Sequence, residues 1–172
     1  MRLMYLRYGT IALPVLAAAF FLGGCMFMHT VTPADAGVGM HGRYDDTAWE
    51  VISTTRAPAA IGPYSQAIRV NGTLYLAGQI ALDPATGEMV EGGIKQQTRR
   101  VMQNIEAVLS EAGYTFDDVV QAQVFLADMN DYRAFNAVYA GYFEESFPAR
   151  AVVEVARLPR NALVEIMMTA VK

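Results

Sequence analysis

The sequence predicts an α+β fold, a mixed β-sheet with two helices on one face in the order β-β-β-α-β-α-β-β. Three observations lead there. Asn71-Gly72 stands between two strand-forming runs, the strongest short hairpin signal a sequence carries. Apolar positions recur at helical spacing from Ile94 to Ala112, and the β-rich run Val119–Leu126 follows them. Leu163–Val171 then separates into two alternating sets of side chains, as a strand does.

In chain order, Val51-Ile52-Ser53 suggests a short first strand, and Ala67–Val70 with Thr73–Gln79 form the hairpin arms. Asp83-Pro84-Ala85-Thr86-Gly87 is turn chemistry. Ile94, Thr98, Val101, Ile105, Val108 and Ala112 form one helical stripe, closed by Gly113 just past its end. After Val119–Leu126, Asp131 is placed to cap a second helix whose Phe135, Val138, Tyr139 and Tyr142 share a face. Strands at Ala149–Val155 and Leu163–Val171 finish the domain, joined by a turn at Pro159-Arg160-Asn161. In the last strand Val164, Ile166, Met168 and Ala170 fall on one face. Leu163, Glu165, Met167, Thr169 and Val171 fall on the other, and both sets are largely apolar. Two helices cover only one side of such a sheet, so the second side calls for burial against further copies of the chain, with a closed barrel covering both sides as the alternative.

With 172 residues, 53% hydrophobic and 17% charged, the chain holds one domain plus an appendage and is not a disordered or fibrous sequence. The single cysteine, Cys25, excludes an intramolecular disulfide and a Cys-rich zinc site. Both histidines, His29 and His41, precede the domain, which leaves it no imidazole as general base or metal ligand.

Residues 1–24 read as an export signal: Arg2 and Arg7 precede an uncharged run of 18 residues from Ile11 to Met28. Pro14 within the run and Gly23-Gly24 near its end disfavour a long stable span. Leu22-Gly23-Gly24-Cys25 resembles the bacterial lipobox, in which the cysteine is lipidated and becomes the new N-terminus. Cys25 is then the lipidation site, residues 25–48 a flexible tether, and residues 49–172 the domain. The expected location is extracytoplasmic, in a periplasm, held to a membrane through the lipid. An uncleaved anchor helix is the alternative, and a true start further downstream would leave the protein cytoplasmic.

Removing residues 1–24 takes Arg2 and Arg7 and no acid from the 13 Lys and Arg, which leaves 11 against 17 Asp and Glu, a net of −6. No basic cluster exists beyond Arg99-Arg100, so nucleic acid is not an expected partner.

The alternation also places candidate chemistry. Glu165 lies on the helix-free face, and if Ala151, Val153 and Val155 point to the helices, then Arg150, Val152 and Glu154 join it there. The planar guanidinium fork suits a substrate carboxylate, and a desolvated glutamate is shifted towards proton exchange near neutral pH. From the pattern alone, an ion pair between subunits is the preferred explanation of Arg150 and Glu165.

Gly62-Pro63-Tyr64-Ser65-Gln66-Ala67, Ala77-Gly78-Gln79-Ile80 with Asp83-Pro84, Pro148-Ala149-Arg150-Ala151, Glu154-Val155-Ala156-Arg157-Leu158-Pro159 and Val164-Glu165-Ile166 occur in that order. Together they resemble the RidA (YjgF) family of enamine/imine deaminases from about Val51 to Lys172. The resemblance implies a chorismate-mutase-like fold, a homotrimer and active sites in clefts between subunits. It implies hydrolysis of reactive 2-enamines and 2-imines, such as 2-aminoacrylate and 2-iminopropionate, to the 2-keto acid and ammonia, without a cofactor. By the same resemblance Arg150 grips the substrate carboxylate and Glu165 positions and activates water. Tyr64, Gly78 and Asn136 border the pocket, and Val152 serves through its backbone.

Two positions depart from the family pattern. Ala77 replaces a common serine and removes a hydroxyl, and Val152 replaces a common cysteine. A trimer that only binds a small carboxylate is the competing expectation. RNA cleavage, also attributed to the family, is opposed by the charge.

Overall fold

The computed structural model describes residues 49–144 and 146–172. The expected signal, Cys25 and the tether up to residue 48 lie outside the described residues.

Six strands form one mixed sheet: β1 (Glu50–Ile52), β2 (Ala67–Val70), β3 (Thr73–Leu76), β4 (Val119–Leu126), β5 (Ala149–Glu154) and β6 (Val164–Val171). Two helices, α1 (Ile94–Glu111) and α2 (Tyr132–Tyr139), interrupt them in the expected order. Across the sheet the order is β1-β2-β3-β6-β4-β5, so the last strand of the chain is inserted at the centre. Every pairing is antiparallel except β4 with β5, which α2 connects as a crossover.

Local chemistry explains the turns and ends. Asn71 and Gly72 take φ of 49° and 73°, the left-handed pair that a two-residue hairpin needs. A side chain at Gly72 would also meet the Lys172 carbonyl, whose residue donates its N–H back to the Gly72 carbonyl at 2.9 Å. α1 ends in a Schellman arrangement: Gly113, at φ 79°, donates to Ser110 O at 3.1 Å and Tyr114 donates to Leu109 O at 2.8 Å. The predicted stripe is the buried face, with Thr98, Val101, Ile105 and Val108 at 0% exposure, and Met102, Asn104 and Leu109 widen it.

The start of α2 differs from expectation. Asp131 is already helical and makes no side-chain cap bond. The cap lies three residues earlier, where the Asp128 carboxylate accepts the Asn130 N–H at 2.8 Å and opens a 3-10 turn that runs into the helix. Phe135 and Tyr139 are buried, as the predicted face requires, while Val138 and Tyr142 are half-buried.

Alternation in β6 holds throughout: Val164, Ile166, Met168 and Ala170 are buried against the helices, and Glu165, Met167 and Thr169 lie half-buried on the opposite face. β4 keeps the same parity after a bulge between Val119 and Gln121, which lets Val119 and Ala122 both face the core. The helix-free face leaves Val51, Tyr75, Val153 and Val171 each more than two-fifths exposed. A sheet face this apolar is the surface that self-association would cover.

Candidate functional site

The sheet register corrects the placement of Arg150. β5 pairs with β4 in parallel, with Ala122 beside Arg150, Val124 beside Val152 and Leu126 beside Glu154. Ala122, Val124 and Leu126 all point into the core, so Arg150, Val152 and Glu154 share the helix face, and Ala151 and Val153 point away from it. Glu165 pairs with Phe125 on the helix-free face. Within one protomer, then, Arg150 and Glu165 are on opposite sides of the sheet and form no ion pair. The inversion has a physical cause. An edge strand is half-exposed on both faces, so small apolar residues there do not mark the core side, and an arginine stem can pack inward where aromatic rings receive the guanidinium.

That bed is supplied by α2. The Arg150 guanidinium carbon lies 4.6 Å from the Tyr139 ring centroid, 5.6 Å from Phe135 and 5.9 Å from Tyr132. Arg150 also donates to the Tyr132 hydroxyl at 3.4 Å. Asn136 lies beside them, and a depression of about 420 Å³ is lined by Asn136, Tyr139, Phe147, Pro148 and Arg150. The Asn136 side chain, followed by the Arg150 charge, lowers the Tyr132 phenol from its ordinary pKa. Val152 packs against the core with its side chain. Its strand is the edge of the sheet, where alternate residues keep backbone N–H and C=O groups free of β4.

The candidate acid lies in a separate cavity of about 480 Å³ lined by Tyr64, Ala77, Gly78, Ile80, Arg160 and Glu165 among others. After β3 the chain leaves the sheet and returns to β6 through one bridge, with Gln79 N–H to Ile166 O at 2.8 Å and Ile166 N–H to Gln79 O at 3.1 Å. This return presses Gly78 onto Glu165. A methyl group at Gly78 would overlap the Glu165 carboxylate, so glycine is what leaves the acid its place. Burial raises the Glu165 pKa above the ordinary carboxylate value, and no hydrogen bond or ion pair to it is found among the described residues. A carboxyl group so placed exchanges protons closer to neutrality.

The walls of this cavity are held by buried amides. Gln66, 3% exposed, donates to Thr54 O, Ala57 O and Pro58 O at 3.0, 3.3 and 2.7 Å and accepts the Thr54 N–H. Asn104 donates to Ile80 O and Leu82 O. Tyr64 is half-exposed at the rim, and its hydroxyl accepts the Ile61 N–H at 3.2 Å.

Thus Tyr64, Gly78 and Glu165 come together on one side of the sheet, and Asn136, Arg150 and Val152 on the other. Sequence reasoning missed Tyr132, Tyr139 and Arg160. The first two were legible as the positions that, with Phe135 and Asn136, fall on one face of α2. Arg160 sits at φ 54°, and its guanidinium donates to Gly87 O at 2.7 Å and Glu88 at 2.8 Å, which nothing in the sequence announces. Among the described residues no cluster of three metal-ligating side chains occurs.

Comparison with known proteins gives consistent matches. The family model described as Endoribonuclease L-PSP matches residues 54–172. A RutC family protein of Pyrococcus horikoshii is 56% identical over 123 residues, 72% of this chain and 98% of that relative. The 2-iminobutanoate/2-iminopropanoate deaminase of Mus musculus is 50% identical over 123 residues, 72% of this chain and 91% of the mouse protein. A crystal structure of a conserved Rid family protein from Yersinia pestis superposes with a TM-score of 0.71 at 51% identity, covering 73% of this chain and all of that one (100%).

Proposed function

This chain belongs to the Endoribonuclease L-PSP family, the RidA (YjgF) group whose motifs it carries, and from that premise we propose that it hydrolyses reactive 2-imino and 2-enamino acids to 2-keto acids and ammonia. One observation carries the reading: an arginine in an aromatic bed and a glutamate of raised pKa sit in two separate depressions on opposite sides of one sheet. The arginine depression is lined by no acid, and the arginine in the glutamate cavity, Arg160, is already engaged by Glu88. A head-to-tail interface brings two different patches of neighbouring copies together, and three copies that close into a ring give three composite clefts. The apolar helix-free face supplies a reason for such packing, and the mouse relative's name supports the substrate class.

In the composite cleft, Arg150 of one copy fixes the substrate carboxylate with its guanidinium fork. Glu165 of the neighbour, as carboxylate, takes a proton from water while the oxygen attacks the imine carbon. That proton passes to nitrogen to give the carbinolamine; a second proton then moves from the carbinolamine hydroxyl to nitrogen, and ammonia leaves as the C–N bond breaks and the C=O bond forms. An imine conjugated to a carboxylic acid is already electrophilic, so fixing the acid and orienting water suffices. Gly78 leaves room at the acid, Tyr64 and Asn136 border the ligand, and Val152 contributes backbone. Ala77 lines the Glu165 cavity, so a hydroxyl missing there bears on rate or substrate choice.

The test is direct. 2-Iminopropionate is generated by an amino-acid oxidase and trapped with semicarbazide. The full chain lowers the semicarbazone yield, and Arg150→Ala does not. A wild type without effect returns the molecule to a carboxylate-binding trimer.

The sequence before the domain supports a second part of the proposal: export, with Cys25 lipidated and the domain displayed outside the cytoplasm on a membrane. Radiolabelled palmitate enters the wild type and not Cys25→Ser; absence of label from both removes the lipid anchor.

A further inference from the structure

Tyr139 closes α2 with its ring packed between Phe135 and Phe143, at centroid distances of 5.3 and 4.9 Å. The residue is 2% exposed, and its hydroxyl has no hydrogen-bond partner among the described residues. Burial pushes the phenol up to about 12, against the opposing pull of the Arg150 charge and of an Arg150 N–H turned towards its oxygen, so the phenol keeps its proton throughout the physiological range and that proton has no acceptor among the described residues. Buried hydroxyls without partners are rare in folded proteins, and a ligand is one way the partner is supplied. The polar neighbour at hand is the Arg150 guanidinium, which carries only donors and cannot take the phenol's proton. The missing group is therefore an acceptor that tolerates a cation beside it, and an anionic oxygen satisfies both demands. Both residues line the same depression.

We propose that the Tyr139 hydroxyl donates a hydrogen bond to the carboxylate oxygen of the ligand that Arg150 holds, as a second anchor for the substrate's acid group. This rests on the Arg150 assignment above. Tyr132 differs in role: its hydroxyl accepts from Arg150 at 3.4 Å at a more exposed place and orients the guanidinium.

Calorimetric titration of the full chain with pyruvate, the product that carries the same carboxylate, tests the assignment. Tyr139→Phe keeps the ring packing and loses one hydrogen bond to a charged group, so pyruvate affinity falls about tenfold, and KM for the trapped imine rises by a similar factor with kcat within about twofold. Replacing Tyr139 by 3-fluorotyrosine makes a stronger donor of nearly the same shape, and affinity then rises. A purely structural tyrosine would not give opposite signs in the two variants. Unchanged affinity in Tyr139→Phe, or a change of the same sign in both variants, overturns the assignment while leaving the catalytic reading intact. A wild type that binds pyruvate no better than Arg150→Ala defeats the catalytic reading and this inference with it.

Discussion

Glu165 sets stability against its proposed use. Its carboxylate is desolvated beside Gly78 and makes no ion pair among the described residues, since Arg160 in the same cavity is paired with Glu88. Because its folded pKa is raised, the cost of holding the charged form is absent below the ordinary carboxylate pKa and grows as pH rises through the folded value. Glu165→Gln escapes that cost. The variant therefore melts higher than the wild type at about pH 8, and the difference closes by about pH 4. Its imine hydrolysis falls by about a hundredfold or more, since the proton acceptor is gone. Calorimetric melts at the two pH values and the semicarbazone assay check both signs. At this scale the sequence was informative in kind and misleading in place. Motif resemblance singled out Arg150, Glu165, Tyr64, Gly78, Asn136 and Val152. The phenols of Tyr132 and Tyr139 stayed hidden because an aromatic on an amphipathic helix is first of all a core residue.

Among the elements, those with strong periodicity were legible to within a few residues. The α1 stripe and the Asn71-Gly72 hairpin follow from side-chain spacing and from backbone conformations that few residues adopt. Gly113 belongs to the same class: at φ 79° with open space around it, a side chain there meets only backbone strain. Gly113→Ala accordingly costs about 1–2 kcal/mol and lowers the melting temperature without changing kcat, which thermal melts and initial rates together resolve. Two short elements escaped the same reasoning. The α2 cap lies at Asp128 because a 3-10 turn precedes the helix, and turn and helix look alike in sequence. β5 was assigned the wrong face because its neighbours, not its own alternation, decide which side is inside. The parallel register with β4 is a property of the crossover and cannot be seen from the six residues themselves.

For the whole molecule, the order of elements and the uncovered apolar sheet face both followed from counting helices against sheet sides. The candidate site did not follow in the same way, because Arg150 and Glu165 lie on opposite sides of the sheet and, on the proposed reading, meet only between neighbouring copies. That division has a genetic consequence. A chain that lacks the Arg150 guanidinium still offers an intact glutamate depression, and one that lacks the Glu165 acid still offers an intact arginine bed. Arg150→Ala and Glu165→Gln, each inert alone, should complement when co-expressed or exchanged in one pot. About a quarter of the clefts in a random one-to-one mixture would pair two undamaged halves. Recovered hydrolysis near that fraction of wild type is the expected result, and two dead variants that stay dead together would mean that the halves never meet.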